Sequence, residues 1–349
     1  MSGATPREPA GHREVRVDLG ERSYPVRIGS GVRHDLPGVV ASTGARRAVV
    51  INARLRESVP DPGVPTRWIE VRDGEHAKTL ATVERLCQQY AEAGLTRQDV
   101  VVSCGGGTTT DLVGLSAALY HRGVAVVHLP TSLLAQVDAS VGGKTAVNLP
   151  AGKNLVGAYW QPAAVLCDTD FLRTLPVREV LNGYGEIARA HFIGSGDLRG
   201  RPVPEQIARC VELKARIVAR DERDHGARHL LNYGHTLGHA LERATDYRMR
   251  HGEAVAVGTV FAGRLAGLLG RIDHDRVVEH HEVVAGYGLG TRLPPAVEDD
   301  DLLALMSRDK KALGGFTFVL DGPDGAELVR GVAEPVLRDA LRALRSGAA

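Results

Sequence analysis

The sequence predicts an α/β N-terminal half followed by a mainly helical C-terminal half. Two observations carry this. Short Val/Ile runs ended by Gly, Pro, Asn or Asp alternate with helical patterns up to about residue 165–175, as expected for a mostly parallel sheet. Beyond that point nearly every periodic segment reads as helix.

The strand-like runs are REVRVDL (13–19), YPVRIG (24–29), RRAVVIN (46–52), TRWIEVR (66–72), DVVVSCGGG (99–107), VAVVHLP (124–130) and AAVLCD (163–168). Helical patterns lie between several of them, at 77–95 and 108–123. In the second half, helices are expected over 178–194, 204–222, 228–246, 251–270 and 300–313. FTFVL (316–320) is the last strand-like run, and a final helix covers 334–346. Residues 1–12 read as a disordered tail of Gly, Pro and charge without periodicity.

The 349 residues fit about two domains. Lys+Arg is 43 and Asp+Glu 42, a net charge of +1, which argues against a surface built for nucleic acid or anionic lipid. No apolar stretch is long enough to span a membrane, and the polar N-terminus lacks the apolar core of a secretory signal. The four cysteines are scattered and form no C-x-x-C pair, so a disulfide framework or cysteine zinc site is not expected and a reducing cytoplasm fits. Of the 43 cations 37 are Arg and only six Lys: Lys78, Lys144, Lys153, Lys214, Lys310 and Lys311. A lysine kept against such a bias points to a need for a compact ammonium.

Four motifs carry chemistry. Gly105-Gly106-Gly107-Thr108-Thr109-Thr110-Asp111 follows an apolar strand and opens a helix. Glycines there let a diphosphate approach backbone N–H groups at a helix N-terminus, although the order is not G-x-G-x-x-G. Asp73-Gly74-Glu75-His76-Ala77-Lys78 lies between a strand and a helix, at the same edge of a parallel sheet. A stretch dense in small residues, hydroxyls and lysines holds Thr131, Ser132, Asp138, Gly142-Gly143-Lys144 and Lys153-Asn154. The fourth is metal-like. In the run from Arg228 through Asn232 to Glu242, His235 and His239 lie one helical turn apart, with His251 further on and Glu186 in a separate helix. Three of these groups could bind zinc and leave a position open for substrate, but spacing alone leaves open which histidine is spare. Lys214, Arg228, Lys310 and Lys311, in the helical half, suggest an anion pocket.

In order along the chain, the blocks DGEHAK, GGGTTTDLVG, LPTSLLAQVDASVGGKTAVN, GKNLVGAYWQP, LNYGHTLGHALE and HGEAVAVG resemble the 3-dehydroquinate synthase family of sugar phosphate cyclases, over roughly residues 15–335. The resemblance implies an α/β NAD-binding domain over 13–170 and a helical metal- and substrate-binding domain over 171–345. It implies Glu186, His235 and His251 as ligands of a divalent metal, zinc or else cobalt, with His239 touching substrate. Asp73, Glu75, Lys78, Gly106, Gly107, Asp111, Thr131, Ser132, Lys144 and Lys153 would line the NAD site or its border. Asp138, Lys144, Asn154, Arg189, Lys214, Arg228, Asn232, His239 and one of Lys310 or Lys311 would contact substrate. Arg122 would reach a neighbouring subunit's site, implying a homodimer.

The reaction so implied oxidises a hydroxyl of a seven-carbon sugar phosphate, takes a proton from the carbon that the new ketone acidifies so that phosphate leaves the next carbon, reduces the ketone again, opens the ring and closes a carbocycle by aldol addition. It has no net redox and belongs to the lyases. Lys214 and Arg228 match groups that bind a substrate carboxylate, which favours 3-deoxy-arabino-heptulosonate 7-phosphate or its 4-amino-4-deoxy analogue over the carboxylate-free substrates of 2-deoxy-scyllo-inosose-type cyclases. The first substrate belongs to the shikimate pathway and aromatic amino acid biosynthesis, the second to 3-amino-5-hydroxybenzoate and ansamycin antibiotics. Three departures stand out: Glu186-Ile-Ala-Arg189 where the family has Glu-x-x-Lys, Asn52 where an acidic residue commonly meets the ribose, and a shortened connection over 194–205. Arg189 is expected to alter a substrate contact, and the expected activity leans to the amino substrate. The rival reading, an alcohol dehydrogenase related to glycerol dehydrogenase, would build up NADH without releasing phosphate. A non-catalytic paralogue would lack metal ligands.

Overall fold

The computed structural model describes residues 12–52, 56–307 and 315–347. It divides into two compact units, Met1–Leu175 with Pro202–Ala219, and Pro176–Arg201 with Arg220–Ala349.

The first unit is built on a seven-stranded sheet. Its strands are β1 (Arg13–Val17), β2 (Tyr24–Gly29), β3 (Ala48–Asn52), β4 (Thr66–Glu70), β5 (Val100–Gly105), β6 (Ala125–Pro130) and β9 (Ala164–Asp168), in the order β1-β2-β9-β6-β5-β3-β4. Only β1 with β2 is antiparallel; the rest pair in parallel. β3, β5 and β9 are buried along their whole length, which is why their sequences are continuous Val-rich runs rather than alternations. Helices α1 (Leu36–Ser42), α2 (Leu80–Glu92) and α3 (Gly107–Leu119) connect them. Thr79 caps α2 by accepting from the backbone N of Thr82 at 3.1 Å.

Two strands pair outside the main sheet. β7 (Lys144–Leu149) and β8 (Gly152–Tyr159) form a hairpin over a stretch rich in Gly, Lys and Asn, where no apolar alternation announces strands. A Cβ on Gly114 of α3 would lie 2.4 Å from the Thr145 side chain, so that glycine lets the hairpin lie against the helix.

The second unit is helical: α4 (Val177–Ala190), α6 (His235–Ala244), α7 (His251–Leu268), α8 (His274–Gly286), α9 (Asp299–Ser307) and α10 (Glu334–Ser346). α5 (Val203–Arg220) belongs mostly to the first unit. α7 is apolar on nearly every side and central to the unit's core, with Val257, Val260, Phe261 and Leu265 packed among residues from α4, α6, α8 and α10.

Three expectations differ from what is observed. The helix read over 228–246 is broken: a tight turn covers Ala227–Asn232, Gly234 takes a left-handed φ of 74°, and α6 starts at His235. β10 (Phe316–Leu320) is not the final strand, because β11 (Glu327–Val332) pairs back onto it. α8 lies where the sequence reading places no element; its Asp273 cap accepts from Arg276 N at 2.9 Å.

Each unit buries a neutral histidine, and this sets an acid limit. Burial lowers His128, whose Nδ1 lies 2.6 Å from Ser103 Oγ, to about 4, and burial likewise lowers His280 to about 4. An unfolded histidine titrates near 6.5, so between pH 6.5 and 4 the unfolded chain binds protons that the folded chain does not. Stability is therefore lost as pH falls through that window, by about 2 kcal/mol for each histidine at pH 5. Thermal midpoints should fall steadily from pH 7 to pH 5; a flat profile there contradicts this.

Candidate active site

In the first unit, the carboxyl ends of three neighbouring strands come together. The register pairs Asn52 of β3 with Cys104 of β5, and Gly105 of β5 with Pro130 of β6. The glycine loop and the Thr131-Ser132 pair therefore leave the sheet side by side, with Thr131 N donating to Gly105 O at 2.9 Å. A Cβ on Gly105 would sit 2.4 Å from Thr109 Oγ1, and one on Gly107 would sit 3.1 Å from Ala139 Cβ. Gly106 and Gly107 carry no side chains of their own at the N-terminal end of α3, which leaves their backbone N–H groups approachable by a diphosphate.

Beside this loop lies a polar relay. Lys78, 3% exposed, donates from Nζ to Asp111 Oδ2 at 2.7 Å and Asn154 Oδ1 at 2.6 Å. Burial pushes the Asp111 carboxyl up, against the pull of Lys78. Asn154, in a left-handed conformation (φ 56°), donates its backbone N to Asn148 Oδ1 at 3.0 Å. Asn148 in turn donates from Nδ2 to Glu75 Oε2 at 2.7 Å. The relay joins Glu75, Lys78 and Asp111, expected at the NAD site, to Asn154, expected at substrate, and Asn148, which held no expected role, links them. Asp73 is exposed at the start of the same loop, Lys144 is exposed at the head of β7, and Lys153 is half-buried on β8. Asp138, in a π-helical turn over Ala135–Ala139, binds Lys214 twice, from its carbonyl at 2.7 Å and its carboxylate Oδ1 at 2.8 Å. Such turns recur at functional sites.

In the second unit, α4, α6 and α7 meet where glycines remove side chains. A Cβ on Gly252 would stand 1.8 Å from Asn182 O, one on Gly185 2.1 Å from Gly252 O, and one on Gly258 1.9 Å from Gly234 O. Asn182 Oδ1 also accepts from Gly252 N at 2.7 Å. This close crossing brings Glu186 of α4, His235 at the start of α6 and His251 at the start of α7 together, their ligand atoms all within 4.8 Å of one another. Glu186 Oε1 lies 3.5 Å from His235 Nε2 and 3.2 Å from His251 Nε2.

Both rings are oriented from behind. His235 Nδ1 donates to Tyr233 O at 3.0 Å, and His251 Nδ1 to Glu242 Oε2 at 3.1 Å. An acceptor on each Nδ1 turns each Nε2 towards Glu186, the ring orientation in which histidines ligate metals, and His251 Nε2 is hydrogen-bonded to Glu186 Oε1 at 3.2 Å. Burial opposes charge on His251, but hydrogen bonds to Glu186 and Glu242 outweigh it and raise the imidazole to about 10. Burial drops His235 to about 3 despite Glu186. Burial also opposes charge on Glu186, yet Arg189 and the two histidines hold its carboxyl well below the usual range. A proton on His251 thus occupies the place that a divalent cation would take. The donor set, one carboxylate and two imidazoles, suits zinc or cobalt.

His239 is exposed, its ring 5.3 Å from that of His235 and 6.0 Å from that of His251; with Glu242 and His251 it forms a second, overlapping group of possible ligands. Arg189 is 4% exposed and bonds Glu186 and Leu231 O. Arg228 is buried, with Nη1 on Glu222 O at 2.7 Å, and Asn232 is exposed at the end of its turn. Arg122 stands exposed with φ 61° in the turn after α3. Lys310 and Lys311 lie outside the described residues. Glu242 and Asn182 were missed as supports; the only trace of Glu242 in the sequence is its place one turn after His239.

Residues 68–182 match the family model for the 3-dehydroquinate synthase N-terminal part, and residues 183–312 that for the C-terminal part. A protein of Amycolatopsis mediterranei described as "Putative aminodehydroquinate synthase" is 69% identical over 94% of this chain and 93% of its own length. The 3-dehydroquinate synthase of Corynebacterium jeikeium is 39% identical over 95% of this chain and 96% of its own. Among solved structures, a 2-deoxy-scyllo-inosose synthase complexed with carbaglucose-6-phosphate, NAD+ and Co2+ superposes with a TM-score of 0.85 at 26% identity, covering 95% of this chain and 99% of that one. The chain belongs to the 3-dehydroquinate synthase family. It is an enzyme of that type, a phosphate-eliminating carbon–oxygen lyase.

Proposed function

We propose that the chain is an NAD- and zinc-dependent cyclase that converts 4-amino-4-deoxy-arabino-heptulosonate 7-phosphate, a small anionic sugar phosphate, to 5-amino-5-deoxy-3-dehydroquinate. The observation that carries the cyclase reading is the Glu186–His235–His251 cluster, with both histidine Nε2 atoms turned towards Glu186, in a chain of this family. The amino substrate is supported by 69% identity to the Amycolatopsis relative, against 39% to the Corynebacterium 3-dehydroquinate synthase.

When bound, NAD and the cation supply reversible hydride removal from a substrate hydroxyl and polarisation of its oxygen. The chain's own groups bind and orient. Gly106, Gly107, Thr131 and Ser132 receive the dinucleotide, with Glu75, Lys78 and Asp111 alongside. Lys78 holds Asn154 by its Oδ1, so Asn154 turns its amide nitrogen to substrate as a donor. Lys214, locked by Asp138, and Arg228 take the carboxylate, while Lys144, Asn232, His239 and Lys310 or Lys311 complete the contacts. We further assign Arg122 to the partner's site in a homodimer, and the enzyme to the cytoplasm.

The test is phosphate release with NAD and zinc on each heptulosonate in turn. Turnover of the amino substrate with at least a tenfold higher kcat/KM is expected. A preference for the hydroxy substrate makes the enzyme an ordinary 3-dehydroquinate synthase and overturns the substrate assignment.

A further inference from the structure

We propose that Arg189 is a positioning residue that holds Glu186 as a one-oxygen metal ligand and ties it to the turn leading into His235. The inference rests on the metal reading above. Arg189 follows Glu186 by one helical turn, and both side chains are buried, 5% and 2% exposed. Its Nε donates to Glu186 Oε2 at 2.6 Å, and its Nη1 to Leu231 O at 2.9 Å. The other carboxylate oxygen, Oε1, is the one that faces His235 and His251. The two oxygens therefore have separate partners: one is taken by a guanidinium and one is left for an ion. An ion that chelated both would have to strip a buried cation of its counter-charge, which is costly.

The second anchor matters as much. Leu231 lies in the turn that ends at Asn232, four residues before His235. Arg189 thus bridges the element carrying the carboxylate and the segment positioning the imidazole, before any metal arrives. The guanidinium gives each acceptor its own nitrogen, Nε to the carboxylate and Nη1 to the carbonyl, in a fixed planar geometry.

The metal-free protein is titrated with Co2+ alone, without NAD or substrate, and the visible d–d spectrum is recorded for wild type, Arg189→Met and Arg189→Gln. Glutamine keeps a polar group in the buried position, should methionine impair folding. Both variants release Oε2, so their bands should weaken and shift towards higher coordination number, and zinc affinity by chelator competition should fall about tenfold. Wild-type uptake with an unchanged spectrum in a folded variant overturns the role of Arg189 alone. A wild-type protein that takes up no cobalt overturns the metal reading itself. If neither variant folds, X-ray absorption of the zinc-loaded wild type decides: a single carboxylate oxygen is expected, and a chelating carboxylate overturns the inference.

Discussion

Replacing His235 by alanine is expected to lower turnover by roughly a thousandfold or more while NAD binding stays within a few-fold of wild type. The first effect follows from geometry. His235 supplies one of three ligand atoms within 4.8 Å, and its imidazole is kept neutral, with its Nε2 facing Glu186. A metal that stabilises developing charge contributes several kcal/mol, and each 1.36 kcal/mol is about a factor of ten in rate. The second effect follows from placement: the glycine loop belongs to the other compact unit. Steady-state phosphate release, fluorescence titration with NAD and metal analysis check all three. A variant within tenfold of wild-type turnover would remove His235 from the metal set.

Gly252→Ala should be the most damaging single methyl group in the helical unit. Its Cβ would lie 1.8 Å from Asn182 O and 2.7 Å from Asn182 C. Both are backbone atoms, so no rotamer change relieves the clash, and α7 must move away from α4. Overpacking a core typically costs about 1–3 kcal/mol, and this contact calls for the upper end or beyond. For a domain of this size that lowers the thermal midpoint by on the order of 10 °C. The same shift carries His251 away from Glu186, so metal affinity falls with stability. Gly38→Ala, in α1 with nothing within 4 Å of the added atom, is the control and should be nearly silent. Calorimetry of the two variants side by side checks the pair; a stable, metal-binding G252A would mean that the helices need not approach so closely.

The legible parts of this chain were those where one residue type dominates for one physical reason. Fully buried parallel strands read as Val runs, and the glycine loop read as a strand-to-helix turn. The metal set was only half legible. His235 and His239, at i and i+4 on α6, suggested a pair on one helix face, whereas the group of possible ligands that includes His235 draws Glu186 from α4 and His251 from α7. Which histidine was spare came from family resemblance, not spacing. Glu242 was hidden because a glutamate late in a helix ordinarily reads as solvated, whereas here it is buried behind His251. The hairpin bearing Asn148 and Asn154 was hidden because its residues serve a polar relay rather than an apolar face. Arg189 stood out in sequence as an oddity expected to alter a substrate contact; its bonds to Glu186 and Leu231, on which the proposed positioning role rests, are not legible there.

The central claim is a reaction that uses NAD and gives it back. The most direct measurement follows phosphate and NADH together, with purified enzyme, zinc, NAD and the amino heptulosonate phosphate. The account predicts stoichiometric phosphate release over many turnovers with no rise in NADH beyond one equivalent of enzyme, and complete loss of both signals after chelation of the metal. NADH accumulating in step with product, or phosphate release that survives chelation, would contradict it.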